Sequence, residues 1–209
     1  MNKLYKVKDS RDLWNIVGSF GEVWEDVKED GDRLSAKNDS VEVCSEIKDV
    51  GDGVFVRRGY VKNISDEPVI LNTLSSKFIL NGGECEVYSQ YNGWKNESTG
   101  GWQKLVTAVV SRTTSVRSTN TATPFMALWN NQTSRGVAFH VLSESTWQMK
   151  AKKYYSHQGH DKLVYVEIGI NEKGFDYTLE PGARLEMPTI LYYEFKNKVD
   201  MDAYKLHRY

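Results

Sequence analysis

The chain is punctuated by short segments rich in β-branched and aromatic residues, each bounded by turn residues. Such segments are typical of β-strands, and helix-like periodicity is rare between them. This pattern predicts an all-β fold. The predicted strands are residues 54–56, 69–71, 78–80, 105–110, 125–129, 137–142, 163–170 and 190–195.

Two of these segments predict interior strands. In KLVYVEIGI, Val164, Val166 and Ile168 share one face, while Tyr165 lies among the residues of the other. In GVAFHVL, residues 137, 139 and 141 alternate with 138, 140 and 142 in the same way. Both faces are largely apolar in each case. We therefore expect these strands inside a sandwich of two antiparallel sheets.

Turn and helix signals fit a single domain. Asp30-Gly31 is a strong signal for a short hairpin loop. The helix signals are a possible start over residues 11–17 and another over residues 200–209, where Asp202 is a candidate N-cap. We expect residues 1–198 to form the sandwich and 199–209 to begin a linker or helix.

Charge and composition argue against several partners. The net charge of -1 gives no general attraction to nucleic acid. Acidic residues between positions 22 and 32 and lysines at 150, 152 and 153 are expected on solvated hairpins and loops. There is no signal-like or membrane-length apolar run, which predicts a cytoplasmic protein without membrane contact. The simplest expectation for Cys44 and Cys85 is a pair of reduced thiols.

Motifs for independent catalysis are missing from the sequence. It has no G-x-S-x-G, P-loop, H-E-x-x-H or Cys-x-x-Cys pattern. His157, His160 and Asp161 could in principle hold a metal, but a polar loop is the favoured interpretation. His140 is expected to be a hydrogen-bonded core histidine. We predict no metal, no cofactor and no catalytic residue in this chain.

Residues 88–103, YSQYNGWKNESTGGWQ, have neither strand alternation nor helical spacing and are predicted to be a loop. Aromatic side chains on a loop either seal the protein interior or an interface, or are offered to a ligand. Both interpretations remain open from the residues alone.

From about residue 60 to residue 195 the chain resembles the N-terminal β-supersandwich domain of family 36 glycoside hydrolases, the α-galactosidases. Three stretches carry the resemblance: YSQYNGWKNESTGGWQKL, TSVRSTNTATPFMALWNNQTSRGVAFHVL and LEPGARLEMPTILYYEF. Asn96 stands where the family usually has arginine, and Thr123-Pro124-Phe125 replaces an Asn-Pro-Phe form. The implied fold is a two-sheet antiparallel β-supersandwich, similar to galactose mutarotase, with few short helices.

The resemblance implies a division of labour. In the family, two aspartates on a following (β/α)8 barrel hydrolyse α-galactosides with retention. This chain would be the non-catalytic domain that supports the barrel of the same polypeptide, assembles a homo-oligomer and shapes the substrate entrance. Residues 198–202 resemble the family's nucleophile segment superficially. They follow the sandwich directly and lack its tryptophan, so capping of a helix is the better interpretation of Asp200.

The same resemblance places the aromatic loop near an active-site mouth. Sugar rings offer apolar faces and hydroxyls, which suit aromatic rings beside amides and carboxylates. The candidate residues for contact with α-galactoside oligosaccharides are Tyr91, Asn92, Trp94, Asn96, Glu97 and Trp102. A free-standing carbohydrate-binding module and a ligand-free structural sandwich are the alternatives.

Overall fold

A computed structural model describes residues 16–20, 24–93, 96–113, 122–143, 146–155 and 162–208. Within these ranges the chain forms seventeen strands and one C-terminal 3-10 helix. The strands are β1 (Ile16–Gly18), β2 (Glu25–Asp30), β3 (Arg33–Lys37), β4 (Val41–Gly51), β5 (Val54–Asn63), β6 (Val69–Leu71), β7 (Leu74–Asn81), β8 (Cys85–Gly93), β9 (Asn96–Lys104), β10 (Ala108–Arg112), β11 (Ala122–Asn130), β12 (Arg135–Leu142), β13 (Trp147–Tyr155), β14 (Lys162–Ile170), β15 (Tyr177–Leu179), β16 (Arg184–Glu186) and β17 (Thr189–Phe195). The 3-10 helix is Ala203–Arg208.

Two large antiparallel sheets dominate the fold. The five-stranded sheet has the order β1-β7-β14-β13-β10. The ten-stranded sheet has the order β2-β3-β4-β5-β17-β12-β11-β8-β9, with β16 paired to β5. Strands β15 and β6 form a small third sheet. The predicted all-β architecture of two packed antiparallel sheets is confirmed.

The main core lies between the two large sheets, and one face of each predicted interior strand points into it. From the five-stranded sheet, Val164, Val166 and Ile168 are fully buried. From the ten-stranded sheet, Phe139 and Val141 meet them. Strand β14 lies between β7 and β13, and β12 lies between β11 and β17. The predicted interior positions of these two strands are therefore confirmed.

The first predicted hairpin is also present. Asp30 pairs with Arg33 across a two-residue loop. Gly31 has a φ of 57°, which a glycine adopts without steric cost. Every residue of β2 is exposed, as expected for the solvated acidic segment. Cys44 and Cys85 are buried free thiols.

The predicted loop at residues 88–103 is wrong. Its described residues belong to β8 and β9, which pair as an antiparallel hairpin, with Tyr88 directly opposite Trp102. A strand shows a clear polar–apolar alternation only when one face is solvated. Here Tyr88 and Trp102 pack on the outer face of the sheet, while Val87 on the other face is fully buried. The hidden alternation explains the incorrect prediction.

The two helix predictions have different outcomes. Ile16 and Val17 were expected in a helix, but they are in β1 and pair with β7. Pairing with a sheet gives hydrogen-bond partners to backbone groups that a short helix leaves without them. The C-terminal 3-10 helix is present. The Asp202 carboxylate does not cap that helix but accepts a hydrogen bond from the Lys196 amide at 3.1 Å. Asp200 Oδ1 accepts the Asp202 amide at 2.9 Å in the turn before the helix.

Candidate functional site

The outer face of the ten-stranded sheet carries a second apolar layer. Side chains that alternate with the core residues of β8, β9, β11, β12 and β17 point away from the five-stranded sheet and pack together. We call this layer the aromatic face. Its ring-bearing members are Tyr88, Trp102, Phe125, Trp129, His140, Tyr193 and Phe195.

Small residues at the centre of the aromatic face make room for the rings. Ala127 and Ala138 are directly opposite each other on β11 and β12, and both are fully buried. The Phe195 ring lies over Gly136, where an added Cβ would come within 2.1 Å of the ring. The absence of a side chain at Gly136 is therefore a requirement of this packing.

Ring contacts then run from the edge of the sheet inward. The Tyr88 and Trp102 rings have centroids 5.4 Å apart. Trp102 lies 6.4 Å from Phe195, which stacks on Trp129 at 5.6 Å. These separations are typical of favourable aromatic pairs, each worth about 0.5–1.5 kcal/mol beyond area burial. The aromatic face is a packed layer, and Trp102 is half-buried within it.

The C-terminal segment, residues 196–208, packs on the aromatic face. Met201 and Leu206 contact the apolar layer. The Lys198 ammonium lies 5.0 Å from the centre of the Trp102 ring and pairs with the Glu86 carboxylate. This pairing lowers the pKa of Glu86, since a nearby cation favours the ionised carboxylate. Lys205 Nζ donates to the Glu194 carbonyl at 2.6 Å.

His140 occupies the part of the aromatic face between Phe125 and Tyr193. Its ring centroid is 4.6 Å from that of Phe125 and 6.2 Å from that of Tyr193. Nε2 is buried and has no hydrogen-bond partner among the described residues, so the expected hydrogen bond is not seen at that atom. Desolvation lowers the pKa of His140 to about 4. The side chain is therefore neutral at pH 7.

Two of the predicted sugar-contacting residues, Tyr91 and Trp102, lie on opposite sides of the β8–β9 hairpin. Tyr91 is 48% exposed and shares a side of β8 with Ser89, whose hydroxyl lies 3.3 Å from the Tyr91 hydroxyl. Trp102 is on the opposite side, against Tyr88. Asn92 Oδ1 accepts from the Thr123 hydroxyl at 3.5 Å.

The remaining candidates are described only in part. Asn96 and Glu97 are in β9, but their side chains are not among the described parts of the structure. Trp94 lies outside the described residues, as do His157, His160 and Asp161. Among the described residues, no group of three or more His, Cys, Asp or Glu side chains is placed to hold a metal ion.

Most residues of the aromatic face were not among the site residues predicted from the sequence. Phe125 and Trp129 lie on the same face of β11, and Tyr193 and Phe195 lie on the same face of β17. Aromatic residues at alternate positions of a strand whose other face is already apolar were the available signal. Such a signal indicates that the second face is covered as well.

Sequence comparisons do not assign the chain. No family model matches it, and no curated protein sequence matches it. Comparison with solved structures does find relatives. The chain shares its fold with family 36 α-galactosidases. The resemblance predicted from the sequence is thus confirmed at the level of the fold.

The α-galactosidase AgaA from Geobacillus stearothermophilus superposes with a TM-score of 0.75 at 16% identity, covering 84% of this chain and 25% of the enzyme. The α-galactosidase from Lactobacillus brevis gives 0.67 at 17% identity, covering 86% and 26%. A TPR-domain containing protein from Parabacteroides distasonis gives 0.51 at 11% identity, covering 86% and 35%. The chain therefore spans about a quarter of the α-galactosidases it matches.

Among the described residues, no helix is long and apolar enough to cross a membrane.

Proposed function

We propose that this chain is the non-catalytic N-terminal domain of an α-galactosidase-like glycoside hydrolase. In this proposal a (β/α)8 barrel of the same polypeptide hydrolyses the substrate. The sandwich supports the barrel, contributes to a homo-oligomer and shapes the substrate entrance. The observation that carries the proposal is the fold match, which covers 84% of this chain but only 25% of AgaA.

The aromatic face supports a role in holding a further domain. Fully buried side chains on the outer face of a sheet, such as Phe195, give a rigid surface for packing. The C-terminal segment packs on this face. Two of its apolar residues are exposed, Val199 by 91% and Tyr204 by 63% of their surface. Exposed apolar side chains next to a packed layer are typical of an interface with another domain. We assign this surface to the barrel.

The β8–β9 hairpin supports a role at the substrate entrance. Its strands form one edge of the ten-stranded sheet, and Tyr91 is half exposed there. Trp94 follows β8 directly in the sequence. AgaA variants have been crystallised with raffinose and with stachyose. We therefore infer that the hairpin contacts the distal sugars of α-galactoside oligosaccharides.

The proposal is tested by two measurements on the chain and its gene. The purified chain is expected to show no turnover of an aryl α-galactoside, because retaining hydrolysis needs two carboxyl groups about 5 Å apart across the bond. The gene is expected to encode a (β/α)8 barrel in the same reading frame as this domain. Turnover that Asp200→Asn abolishes, or a reading frame without a barrel, would contradict the proposal.

A free-standing carbohydrate-binding module is the second candidate, favoured by the exposure of Tyr91. In that case the isolated chain binds an α-galactoside by itself, and Tyr91→Ala removes the binding. A ligand-free structural sandwich is the third candidate, favoured by the burial of the aromatic face. It predicts no sugar binding by the chain in any context.

A further inference from the structure

The ten-stranded sheet ends in two strands of different character. Its first edge is β2, whose sequence EDVKED has five charged residues in six positions, all of them exposed. The register of β2 with β3 also shifts between Glu25 and Lys28. Charges and irregular register at an edge hinder the pairing of another strand. The β2 edge is therefore protected against strand addition.

The opposite edge of the sheet, β9, lacks these protections. Residues 99–103, TGGWQ, carry no charge. Six consecutive residue pairs, from Tyr91–Thr99 to Glu86–Lys104, join β9 to β8 without a register shift. Strand β9 is nine residues long, whereas protected edge strands are often very short. Within the described ranges, no strand pairs with the side of β9 that faces away from β8.

The hydrogen bonds of β9 determine which of its backbone groups face away from β8. The Leu105 amide donates to the Cys85 carbonyl at 2.9 Å, so these two opposed residues form a hydrogen-bonded pair. In an antiparallel ladder, hydrogen-bonded and non-hydrogen-bonded pairs alternate. Given the register of β8 and β9, the N–H and C=O groups of Gly100, Trp102 and Lys104 therefore point away from β8. These groups are placed to bond to one more antiparallel strand.

Two adjacent exposed glycines lie in the middle of this edge. A Cβ on Gly100 would come within 2.3 Å of the Tyr88 hydroxyl, so packing within the chain requires that glycine. A Cβ on Gly101 would have no atom of the described residues within 4 Å, and its φ is not positive. A glycine inside a strand often marks a place where another backbone approaches closely. Gly101 has this character, since nothing within one chain requires a glycine there.

We propose that β9 pairs with β9 of a second copy of this chain and joins the two ten-stranded sheets into one continuous sheet. A two-fold axis perpendicular to the sheet makes the two strands antiparallel and brings the same patch of both copies together. The charges and the register shift of β2 exclude it as the partner strand. The second copy therefore contributes the same unprotected edge.

The two-fold axis limits which residues face each other. Hydrogen-bonded pairs across the axis form between residues whose N–H and C=O groups point away from β8. With Gly101 on the axis, Gly100 of each copy is opposite Trp102 of the other, and Ser98 is opposite Lys104. Gly101 then faces its own copy in a non-hydrogen-bonded pair, in which the Cα atoms are about 4.5 Å apart. This register sets the exposed glycine at the closest approach of the backbones and opposes no like charges over residues 98–104.

The contact is expected to be weak in the isolated chain. Strand addition gains its affinity from main-chain hydrogen bonds. A pairing over residues 98–104 buries less surface than the roughly 1,200 Å² of small stable interfaces. We therefore expect a dimer that dissociates on dilution. The proposal assigns a surface to the homo-oligomer of the proposed function and rests on that part of it, but it does not depend on a catalytic barrel.

Sedimentation and amide hydrogen exchange of the unchanged chain test the contact without any substitution. The sedimenting mass should rise towards that of two chains as the protein concentration increases. Over the same range, exchange should slow at Gly100, Trp102 and Lys104. It should change much less at Gly101 and Gln103, whose N–H groups already face β8. Protection at alternate residues would identify β9 as the strand that pairs.

Charged substitutions at Gly101 test the symmetry of the pairing. The space beside Gly101 admits a side chain within one copy, so Gly101→Glu and Gly101→Lys should each fold. In a symmetric dimer each variant opposes like charges, and its self-association should be about tenfold weaker or more. An equimolar mixture of the two variants should recover most of this loss, because opposite charges then meet. Gly101→Ala is the matched uncharged control and should dimerise like the unchanged chain.

Three results would overturn the proposal. They are a mass that stays that of one chain at high concentration, exchange at Gly100, Trp102 and Lys104 that does not slow with concentration, and a mixture of the charged variants that associates no better than either variant alone. A chain that remains single although its gene encodes a barrel would reject the β9 contact and leave the catalytic part of the proposed function standing.

Discussion

The Lys198 ammonium lies over the Trp102 ring, 5.0 Å from its centre, and at the same time pairs with Glu86 of β8. One side chain thus ties the C-terminal segment to both strands of the hairpin. Glu86 and Trp102 are on neighbouring strands β8 and β9. The position of the hairpin edge and the docking of the C-terminal segment are therefore linked through Lys198.

This link predicts the effect of removing the lysine. Lys198→Ala should lower the free energy of unfolding by on the order of 1 kcal/mol, since a half-exposed cation–π contact and ion pair are each modest. Lys196→Ala, on an exposed side chain two residues earlier, is the control and should have little effect. Urea denaturation measures both. Equal stability of the two variants would show that Lys198 does not hold the segment.

Two glycine substitutions test the packing of the aromatic face. Gly136→Ala should destabilise the protein by about 1–3 kcal/mol or more, because the new methyl group overlaps the Phe195 ring. Gly101→Ala in β9 should be close to neutral, since no atom of the described residues lies within 4 Å of its added Cβ. Thermal denaturation of both variants is the measurement. A tolerated Gly136→Ala would mean that Phe195 is not seated over β12.

A matched pair of isoleucines tests the location of the core. Ile168→Ala should reduce the free energy of unfolding by about 2–5 kcal/mol, the usual range for truncation of a buried aliphatic side chain. Ile70→Ala should cost far less, because Ile70 is 60% exposed. The denaturation midpoints give both values. Similar losses at the two positions would contradict the assigned strand faces.

His140 predicts a pH dependence of stability. Its folded pKa of about 4 lies below the ordinary 6.5, so the unfolded chain binds more protons between these values. Stability contributed by neutral His140 is present above pH 6.5, declines as pH falls towards 4 and is lost below it, by at most about 3 kcal/mol. His140→Phe should flatten this slope between pH 7 and 4.5. An unchanged slope in denaturation at the two pH values would rule out the buried neutral histidine.

The proposed role at the substrate entrance predicts that a variant of the hairpin affects long and short substrates differently. The enzyme tested contains this domain and its barrel. Trp94→Ala should reduce kcat/KM for an α-galactoside oligosaccharide by several-fold to about tenfold, and much less for a small aryl galactoside. A remote aromatic platform binds distal sugars equally in the ground and transition states, so its loss acts on binding. Equal losses on both substrates with a lower melting temperature would instead indicate that Trp94 seals an interface.

The sequence determined which chain segments form interior strands of the sandwich. Residues 163–170 and 137–142 were assigned to interior strands because both of their faces are apolar, and their neighbours in the sheets agree. The hairpin loop at Asp30-Gly31 was also predicted from the sequence, since its geometry depends on adjacent residues alone. Local signals of this kind do not depend on how distant segments fold.

Tertiary structure decided the two outer faces. The hairpin at residues 88–103 looked like a loop because Tyr88 and Trp102 are covered by a segment about a hundred residues later in the chain. Lys150 and Lys152 looked like solvated charges until β14 placed Glu167 between them and Lys77. The residue pattern of one strand shows how polar and apolar side chains alternate along it. It does not show which distant side chains cover each face. That information arises only when the sheets assemble.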